Sequence, residues 1–224
     1  MLTRKLYSLF QTGLRPYFSQ NGEDILINSF LRKEHGMYLD LGAYHPFRLS
    51  NTALLWARGW NGINVDANPA SIKAFQLKRP NDLSLQAALI TKKQKNQGVK
   101  EINFYKDKID LDKNSLGISA RGSILRTGRD QVEIKVPAKT VSEIINHCDL
   151  KNTKYLNVDI EGMDEEIIHE IDFDHFRPKV VTVEDHQQFI ENVLVSGISL
   201  RMNEVGYKLV ARCAMTSVFL KIDS

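Results

Sequence analysis

Short apolar runs alternate with helical segments in the first part of the chain. The apolar runs occupy residues 37–42, 61–67 and 83–90. The helical segments occupy residues 19–31 and 50–58 and a stretch that begins at Pro69, since proline is favoured in the first turn of a helix. Apolar runs of this length, separated by helices, are typical of buried parallel strands. The order therefore predicts a mostly parallel sheet covered by helices on both faces.

The middle of the chain, residues 91–137, has several turn signals and little helical periodicity. Strand-like pieces lie at residues 101–105 and 132–136, with glycines between them. We predict that this segment is a β-rich insertion. A cluster of lysines near its start lies among polar residues, which indicates a solvated turn rather than a phosphate-binding surface.

Helix and strand alternate again in the last third of the chain. The predicted helices occupy residues 141–147, 164–171 and 192–204, and the predicted strands occupy residues 154–160, 179–184, 207–213 and 216–222. The last two strands are joined by so short a connection that they must pair in antiparallel fashion. An α/β fold with a mostly parallel seven-stranded sheet that ends in an antiparallel hairpin strand is typical of class I S-adenosylmethionine-dependent methyltransferases.

Composition and charge narrow the class of protein further. The chain has 224 residues, of which 42% are hydrophobic and 25% are charged, as expected for a folded globular protein. We predict a single domain over residues 1–224, with an N-terminal helical segment at residues 1–31. The net charge is only +3 and the basic residues are scattered, so a nucleic acid partner is not expected.

The expected location is the cytoplasm. No apolar run approaches the ~18 residues that a membrane-spanning helix requires. The first 17 residues are basic, but polar side chains interrupt their apolar core, which makes a poor secretory signal. Cys148 and Cys213 cannot form a disulfide framework and match no zinc spacing, which favours a reducing compartment.

Acidic residues close the first two predicted strands, and each has a chemical reason to be there. Asp40 is followed by Gly42, where a glycine lets the backbone approach a ligand and present N–H groups, while Asp40 itself suits an ammonium. Asp66 ends the second strand, where a carboxylate accepts hydrogen bonds from both hydroxyls of a ribose. Ala87, after the third strand, is placed where an adenine edge would lie. Together they predict a nucleoside site.

A third acidic motif closes the strand at residues 154–160. Asp159 and Glu161 lie at its end, over the expected reaction centre, and acids follow at positions 164–166. Those later acids are explained by the favourable interaction of negative charge with the start of a helix. Amine methyltransferases often carry a proline-proline-aromatic tetrapeptide at this place. The sequence Asp159-Ile160-Glu161-Gly162 is not one, which disfavours an amino acceptor.

The ordered set of these motifs resembles the FkbM family of S-adenosylmethionine-dependent methyltransferases. The similar pieces lie at residues 18–24, 38–43, 50–52, 59–69, 156–166 and 180–184. The resemblance implies O-methylation of a sugar, a polysaccharide or a natural product, with a small-molecule or glycan acceptor. Together with the placement of Ala87 after the third strand, it gives the expected cofactor contacts, which are Gln20, Asp40, Gly42, Ala43, Tyr44, Ser50, Asp66, Ala67, Asn68, Ala87 and Asp159. Tyr44 and Pro46 replace the asparagine and glycine of many members.

A hydroxyl acceptor gains from losing its proton during attack, so the protein needs a base or a metal. His186 follows the strand at residues 179–184 and is the predicted base, with Glu161 or Asp159 orienting the acceptor. His45 is a second candidate for the base. Alternatively, oxygen ligands from Asp159, Glu184 and Asp185 would hold Mg²⁺.

Two other functions remain open at this point. One is a binding module that keeps the nucleoside pocket without catalysis. The other is a dinucleotide or nucleotide-sugar enzyme on a similar sheet. The glycine pattern of dinucleotide sites is absent after Gly42, which disfavours the second alternative.

Overall fold

The computed structural model describes residues 17–107, 122–123 and 131–222. In chain order, the strands are β1 (Met37–Leu41), β2 (Asn61–Asp66), β3 (Leu83–Gln86), β4 (Ala88–Leu89), β5 (Glu101–Asp107), β6 (Gly122–Ser123), β7 (Gln131–Lys139), β8 (Thr153–Val158), β9 (Val180–Glu184), β10 (Tyr207–Cys213) and β11 (Thr216–Lys221). Part of the predicted N-terminal segment, residues 1–16, and residues 108–121 and 124–130 of the predicted insertion lie outside the described residues.

The helices of the described residues are short. They are α1 (Glu23–Phe30), α2 (Ala53–Ala57), α3 (Pro69–Lys78), α4 (Lys92–Asn96), α5 (Val141–Ile145), α6 (Asp164–Glu170), α7 (Ile190–Leu194) and α8 (Gly197–Glu204). Local sequence explains several of their starts. Asn68 accepts a hydrogen bond from the Ala70 N–H ahead of Pro69, and a Thr140–Glu143 capping box begins α5.

Seven strands form the main sheet in the order β10-β11-β9-β8-β1-β2-β3. The pairs β3–β2, β2–β1, β1–β8 and β8–β9 are parallel, and β11 is antiparallel to both of its neighbours. The predicted class I architecture is therefore confirmed, including the antiparallel hairpin strand at the end. The switch in strand order between β1 and β8 opens the crevice where ligands bind in such sheets.

The two faces of the sheet bury different chemistry. One face is apolar, with Leu39, Val65 and Val158 packed against α5, α6 and α8. The other face lies under α1, α2 and α3 and mixes apolar residues with a buried polar network that includes Asp40 and Asn157. Alternation along each strand sends successive side chains to opposite faces, so the polar network requires polar residues at every second position.

A smaller sheet accompanies the main one, with strand order β4-β7-β5-β6. Strands β5 and β7 pair in antiparallel fashion and contain the pieces predicted at residues 101–105 and 132–136. Phe104 of β5, Val136 of β7 and Ala88 of β4 form a small buried apolar cluster on this sheet.

Three local predictions were wrong. Residues 83–90 form two strands in two sheets, because the chain leaves β2 at Ala87 to pair with β7. The helix predicted over residues 192–204 is interrupted at Ser196, whose hydroxyl caps α8. The lysine-rich turn is instead the short helix α4, begun by a capping box of Thr91 and Gln94. No helix among the described residues is long and apolar enough to cross a membrane.

Candidate active site

The carboxyl ends of β1, β2, β8 and β9 meet at one edge of the sheet. At Gly42, the end of β1 approaches the end of β8 closely. The φ of Gly42 is +84°, and an added Cβ would overlap the carbonyl oxygen of Asp159. The Asp159 N–H donates to the Leu41 carbonyl at 3.0 Å. This position therefore requires glycine first of all to let the two strand ends approach each other.

The turn after β1 uses its N–H groups within the protein. Gly42 and Ala43 both donate to the Val65 carbonyl, at 2.9 and 3.0 Å, and the His45 N–H donates to the Ala43 carbonyl. The Tyr44 N–H donates to Asp66. The expectation that this turn offers free N–H groups to a ligand is therefore wrong.

Asp66 joins the loops after β1 and β2. One carboxylate oxygen accepts from the Tyr44 N–H at 2.8 Å, and the other accepts from the Asn68 N–H at 2.6 Å. Burial raises the pKa of Asp66 to about 6, and the negative charges of Asp40 and Glu161 act in the same direction, whereas the two backbone hydrogen bonds lower it. Each oxygen keeps a further lone pair, so the carboxylate can still accept from a ligand.

The predicted nucleoside residues lie together around Asp66. The Ala87 N–H donates to the Asp66 carbonyl at 3.1 Å, and the Gln86 side chain reaches the Ala67 carbonyl at 3.4 Å. Ala87 itself is buried. The carboxylate predicted to bind a ribose and the strand end predicted to lie beside an adenine are thus adjacent.

Asp40 faces the interior. Its two oxygens accept from the Thr52 hydroxyl at 2.8 Å and from the Asn157 amide at 2.9 Å. It is 2% exposed, and burial raises its pKa while those two hydrogen bonds lower it. Its burial leaves a ligand ammonium little access to these oxygens, whereas Asp66 is partly exposed at the same edge.

Two further predicted cofactor residues lie at the same edge. Ser50 is buried; its hydroxyl accepts from Arg79 at 3.1 Å, and its N–H donates to the Phe18 carbonyl. Gln20 is exposed on the segment that precedes α1. That segment reaches the end of β10, where the Cys213 thiol contacts the Asn21 carbonyl at 2.9 Å. Gln20 is thus free to face a ligand, whereas Ser50 supports the loop.

Three titratable groups lie in a row after β8 and β9. A side-chain hydrogen bond joins Asp159 to Glu184, and Glu184 Oε2 lies 3.6 Å from His186 Nε2. Burial, then the charge of Glu184, raises the pKa of Asp159 to about 8, and burial also raises the pKa of Glu184. The His186 side chain is 62% exposed, so it is accessible to an acceptor.

Glu161 lies beside this row on a tightly held loop. Glu161 and Gly162 have φ values of +55° and +104°. Asp164 stabilises the loop by accepting from the Ile160 N–H at 2.9 Å and from the Gly162 N–H at 3.1 Å. Asp164 therefore does more than complement a helix start, and the exposed Glu161 is presented to solvent.

The remaining candidates have structural roles. His45 Nδ1 accepts from the N–H groups of Phe47 and Arg48, both at 3.0 Å, and burial lowers its pKa. Asp185 is buried and accepts from the Gln187 N–H and the Ser196 hydroxyl. Within residues 17–107, 122–123 and 131–222, no three histidine, cysteine or acidic side chains are grouped to hold a metal ion. The proposed Mg²⁺ ligands do not converge.

A cleft of about 740 Å³ opens beside His186. It runs between α6 and the loop after β9 toward the start of α4. Its lining includes the acids Glu165, Glu166, Glu170 and Glu184, with Lys93 among the few cations.

Sequence reasoning missed two residues of the site's support. Asn157 bridges Asp40, Asn51 and Thr182 beneath the strand ends. Arg79 is completely buried behind the loop after β1. A polar residue at an alternate position of a buried strand was a usable signal for Asn157. Arg79 had none, because a basic residue at a helix end is usually solvated.

Comparison with known proteins gives one family and two remote structural similarities. The family model of the methyltransferase FkbM domain matches residues 40–209. A TehB-like SAM-dependent methyltransferase from Corynebacterium glutamicum is 11% identical, with TM-score 0.44, covering 99% of this chain and 96% of that chain. Monomeric WbdD is 11% identical, with TM-score 0.44, covering 89% of this chain and 40% of that chain. No curated protein matches the chain.

Proposed function

Because the chain belongs to the FkbM methyltransferase family, we propose that it transfers a methyl group from S-adenosylmethionine to a hydroxyl of a sugar, polysaccharide or natural product. The observation that carries the proposal is the row of Asp159, Glu184 and His186, of which Glu184 and His186 line the cleft. The row supports a base, His186, beside an orienting carboxylate, Glu184, at the strand ends next to the residues proposed for the nucleoside.

The part of the sheet edge around Asp66, which we call the nucleoside side, is suited to the nucleoside of the methyl donor. Asp66 is the residue that would hold the ribose, with Ala67, Asn68 and Ala87 around the base, and Gly42 closes the turn beside them. S-adenosylmethionine supplies a methyl group on a positively charged sulfur when it is bound. The chain's own contribution is to hold the acceptor oxygen close and in line.

His186 is the residue that would accept the acceptor's proton. Glu184, 3.6 Å from its Nε2, orients the imidazole and stabilises the cation that forms. Below the Asp159 pKa of about 8, the protonated Asp159 carboxyl would donate a hydrogen bond to Glu184, and that hydrogen bond opposes the burial that raises the pKa of Glu184. The exposed Glu161 is placed to accept a hydrogen bond from a second acceptor hydroxyl.

The lining of the cleft favours an uncharged, hydroxyl-rich acceptor. Carboxylates such as those of Glu165 and Glu166 accept hydrogen bonds from hydroxyls, and they repel phosphate or carboxylate groups. A nucleotide-sugar acceptor would carry two phosphates into this field. The cleft therefore supports a neutral saccharide or polyol more than an anionic one.

The test has a binding arm and a turnover arm. S-adenosylhomocysteine should raise the melting temperature of the purified full chain, and NAD should not. S-adenosylhomocysteine release should then be measured with neutral glycosides and oligosaccharides and with matched amino and uronic acid sugars, and the product examined by NMR for an O-methyl signal. Stabilisation by NAD alone, or methyl transfer only to the amino group, contradicts the proposal. Binding without turnover of any acceptor would favour a non-catalytic module.

A further inference from the structure

Arg79 follows α3 and is 0% exposed, which is rare for an arginine. Its guanidinium donates to the Pro46 carbonyl, to the Ser50 hydroxyl at 3.1 Å and to the Thr52 hydroxyl at 2.9 Å. These three acceptors belong to one segment, residues 44–52, which we call the β1–α2 loop. A single buried cation thus bonds this loop at three places.

Aromatic rings and one carboxylate surround the Arg79 guanidinium, and this environment suits a planar cation. The rings of Phe47, Trp56 and Phe75 lie 5.7, 5.7 and 5.1 Å from its central carbon. Asp82 lies 3.9 Å from Nη1 and compensates the buried charge. Lysine has the charge but neither the fork of donors nor the flat faces that these partners require.

The β1–α2 loop needs such support because its backbone is strained. Tyr44 and Leu49 have φ values of 56° and 51°, in the left-handed region that non-glycine residues rarely adopt. Asp66 holds the loop at Tyr44, and Arg79 holds it from Pro46 to Thr52. The two charged residues act on opposite ends of one loop.

We propose that Arg79 is a positioning residue for the cofactor: it keeps the β1–α2 loop in the strained shape that completes the nucleoside side, without touching the cofactor itself. This inference rests on the proposed function. In this chain a buried charged side chain would stabilise a loop conformation that a glycine-rich turn adopts without strain. Cofactor affinity should therefore depend on a residue that the cofactor cannot reach.

The experiment compares Arg79→Lys and Arg79→Met with Arg58→Met. Arg58 is a matched control because it also bonds backbone carbonyls, those of Leu31, Arg32 and Glu34, and lies over Trp60. Amide hydrogen exchange is measured across the chain without ligand, and S-adenosylhomocysteine affinity is measured by calorimetry at a temperature where each variant is folded.

Both Arg79 variants should exchange the amides of residues 44–52 at least ~10-fold faster and bind S-adenosylhomocysteine at least ~10-fold more weakly. Arg58→Met should speed exchange near residues 28–34 and leave the affinity within ~2-fold. If Arg79→Met does not fold, Phe47→Leu, which removes one ring from the guanidinium, should give a smaller change of the same kind.

Three results would overturn the inference. These are unchanged loop exchange in a folded Arg79 variant, faster loop exchange with unchanged affinity, and an equal loss of affinity in Arg58→Met, which would indicate general destabilisation. If the wild-type chain binds no S-adenosylhomocysteine at all, the proposed function fails, whereas the exchange data still decide whether Arg79 holds the loop.

Discussion

The two halves of the sheet edge carry the same residue type in opposite settings. Asp66, after β2, directs both carboxylate oxygens at backbone N–H groups of neighbouring loops. Asp159, after β8, faces another carboxyl group, that of Glu184. At Asp66 the two backbone hydrogen bonds oppose the burial that raises its pKa, whereas at Asp159 the charge of Glu184 adds to burial and raises the pKa further.

Because of this difference, the two parts of the sheet edge are suited to different tasks. On the side proposed for the nucleoside, Asp66 and Arg79 hold the β1–α2 loop by hydrogen bonds within the protein. The side proposed for the acceptor is open, with His186 exposed beside the cleft. A preformed surface suits the binding of a constant cofactor, and mobile protons suit the chemistry of a hydroxyl.

The largest expected effect comes from removing the predicted base, which should lower the methylation rate without affecting cofactor binding. His186→Ala should lower the methylation rate by roughly 10²–10⁴, the usual contribution of a general base, and leave S-adenosylhomocysteine affinity near normal. His175→Ala is the control, because His175 is also exposed beside an acid, at 2.8 Å from Asp172, and does not line the cleft. Near-normal turnover in His186→Ala, with activity lost in EDTA and restored by Mg²⁺, would reverse this assignment.

Removing the carboxylate proposed to bind the ribose should instead weaken cofactor binding. Asp66→Ala should weaken S-adenosylhomocysteine binding by about 1.5–3 kcal/mol, the range for hydrogen bonds to a charged group. Asp149→Ala is a matched control, because Asp149 likewise accepts from nearby backbone N–H groups but lies in an exposed turn. Calorimetric titration of both folded variants measures the effect, and an unchanged affinity in Asp66→Ala would exclude Asp66 from the ribose site.

The pH dependence of binding provides a second measurement on Asp66. Its pKa is raised to about 6, so the carboxylate becomes protonated in the folded protein below that pH. A protonated oxygen cannot accept both ribose hydroxyls, so affinity should fall as the pH drops below about 6. An affinity that is flat from pH 5 to pH 8 contradicts this expectation.

The smallest expected effect is on the pH dependence of stability, and it tests the raised pKa of Asp159. The pKa of Asp159 is about 8 in the folded protein and ~3.9 in an unfolded chain, so the folded state binds more protons between these values. The free energy of unfolding should therefore fall as pH rises from 5 to 8.5, and Asp159→Asn should reduce that fall by ~1–2 kcal/mol, since solvent exposure discounts the full shift.

Urea unfolding at both pH values measures this change. Asp174→Asn, in an exposed turn, is the control and should leave the pH dependence as in the wild type. A variant Asp159→Asn with the full wild-type dependence would show that another group binds the proton.

The order of strands and helices could be predicted because it depends on local patterns. Alternating apolar runs, the Asn68-Pro69 helix start and the closely spaced last two strands each act within a few residues. The acids at strand ends were visible for the same reason, since the ends of parallel strands necessarily share one edge. Local sequence patterns were therefore enough to predict the sheet and to place the acids of the candidate site at one of its edges.

Which of those residues remain free for a ligand was decided only by the tertiary structure. Asp40 and Asp66 look equivalent along the chain, and each accepts one protein hydrogen bond per oxygen, yet Asp40 is buried while Asp66 is partly exposed at the edge. Arg79 could not be found because its partners on the β1–α2 loop lie about thirty positions away. A hydrogen bond between distant residues depends on how the layers pack, and no local pattern contains that information.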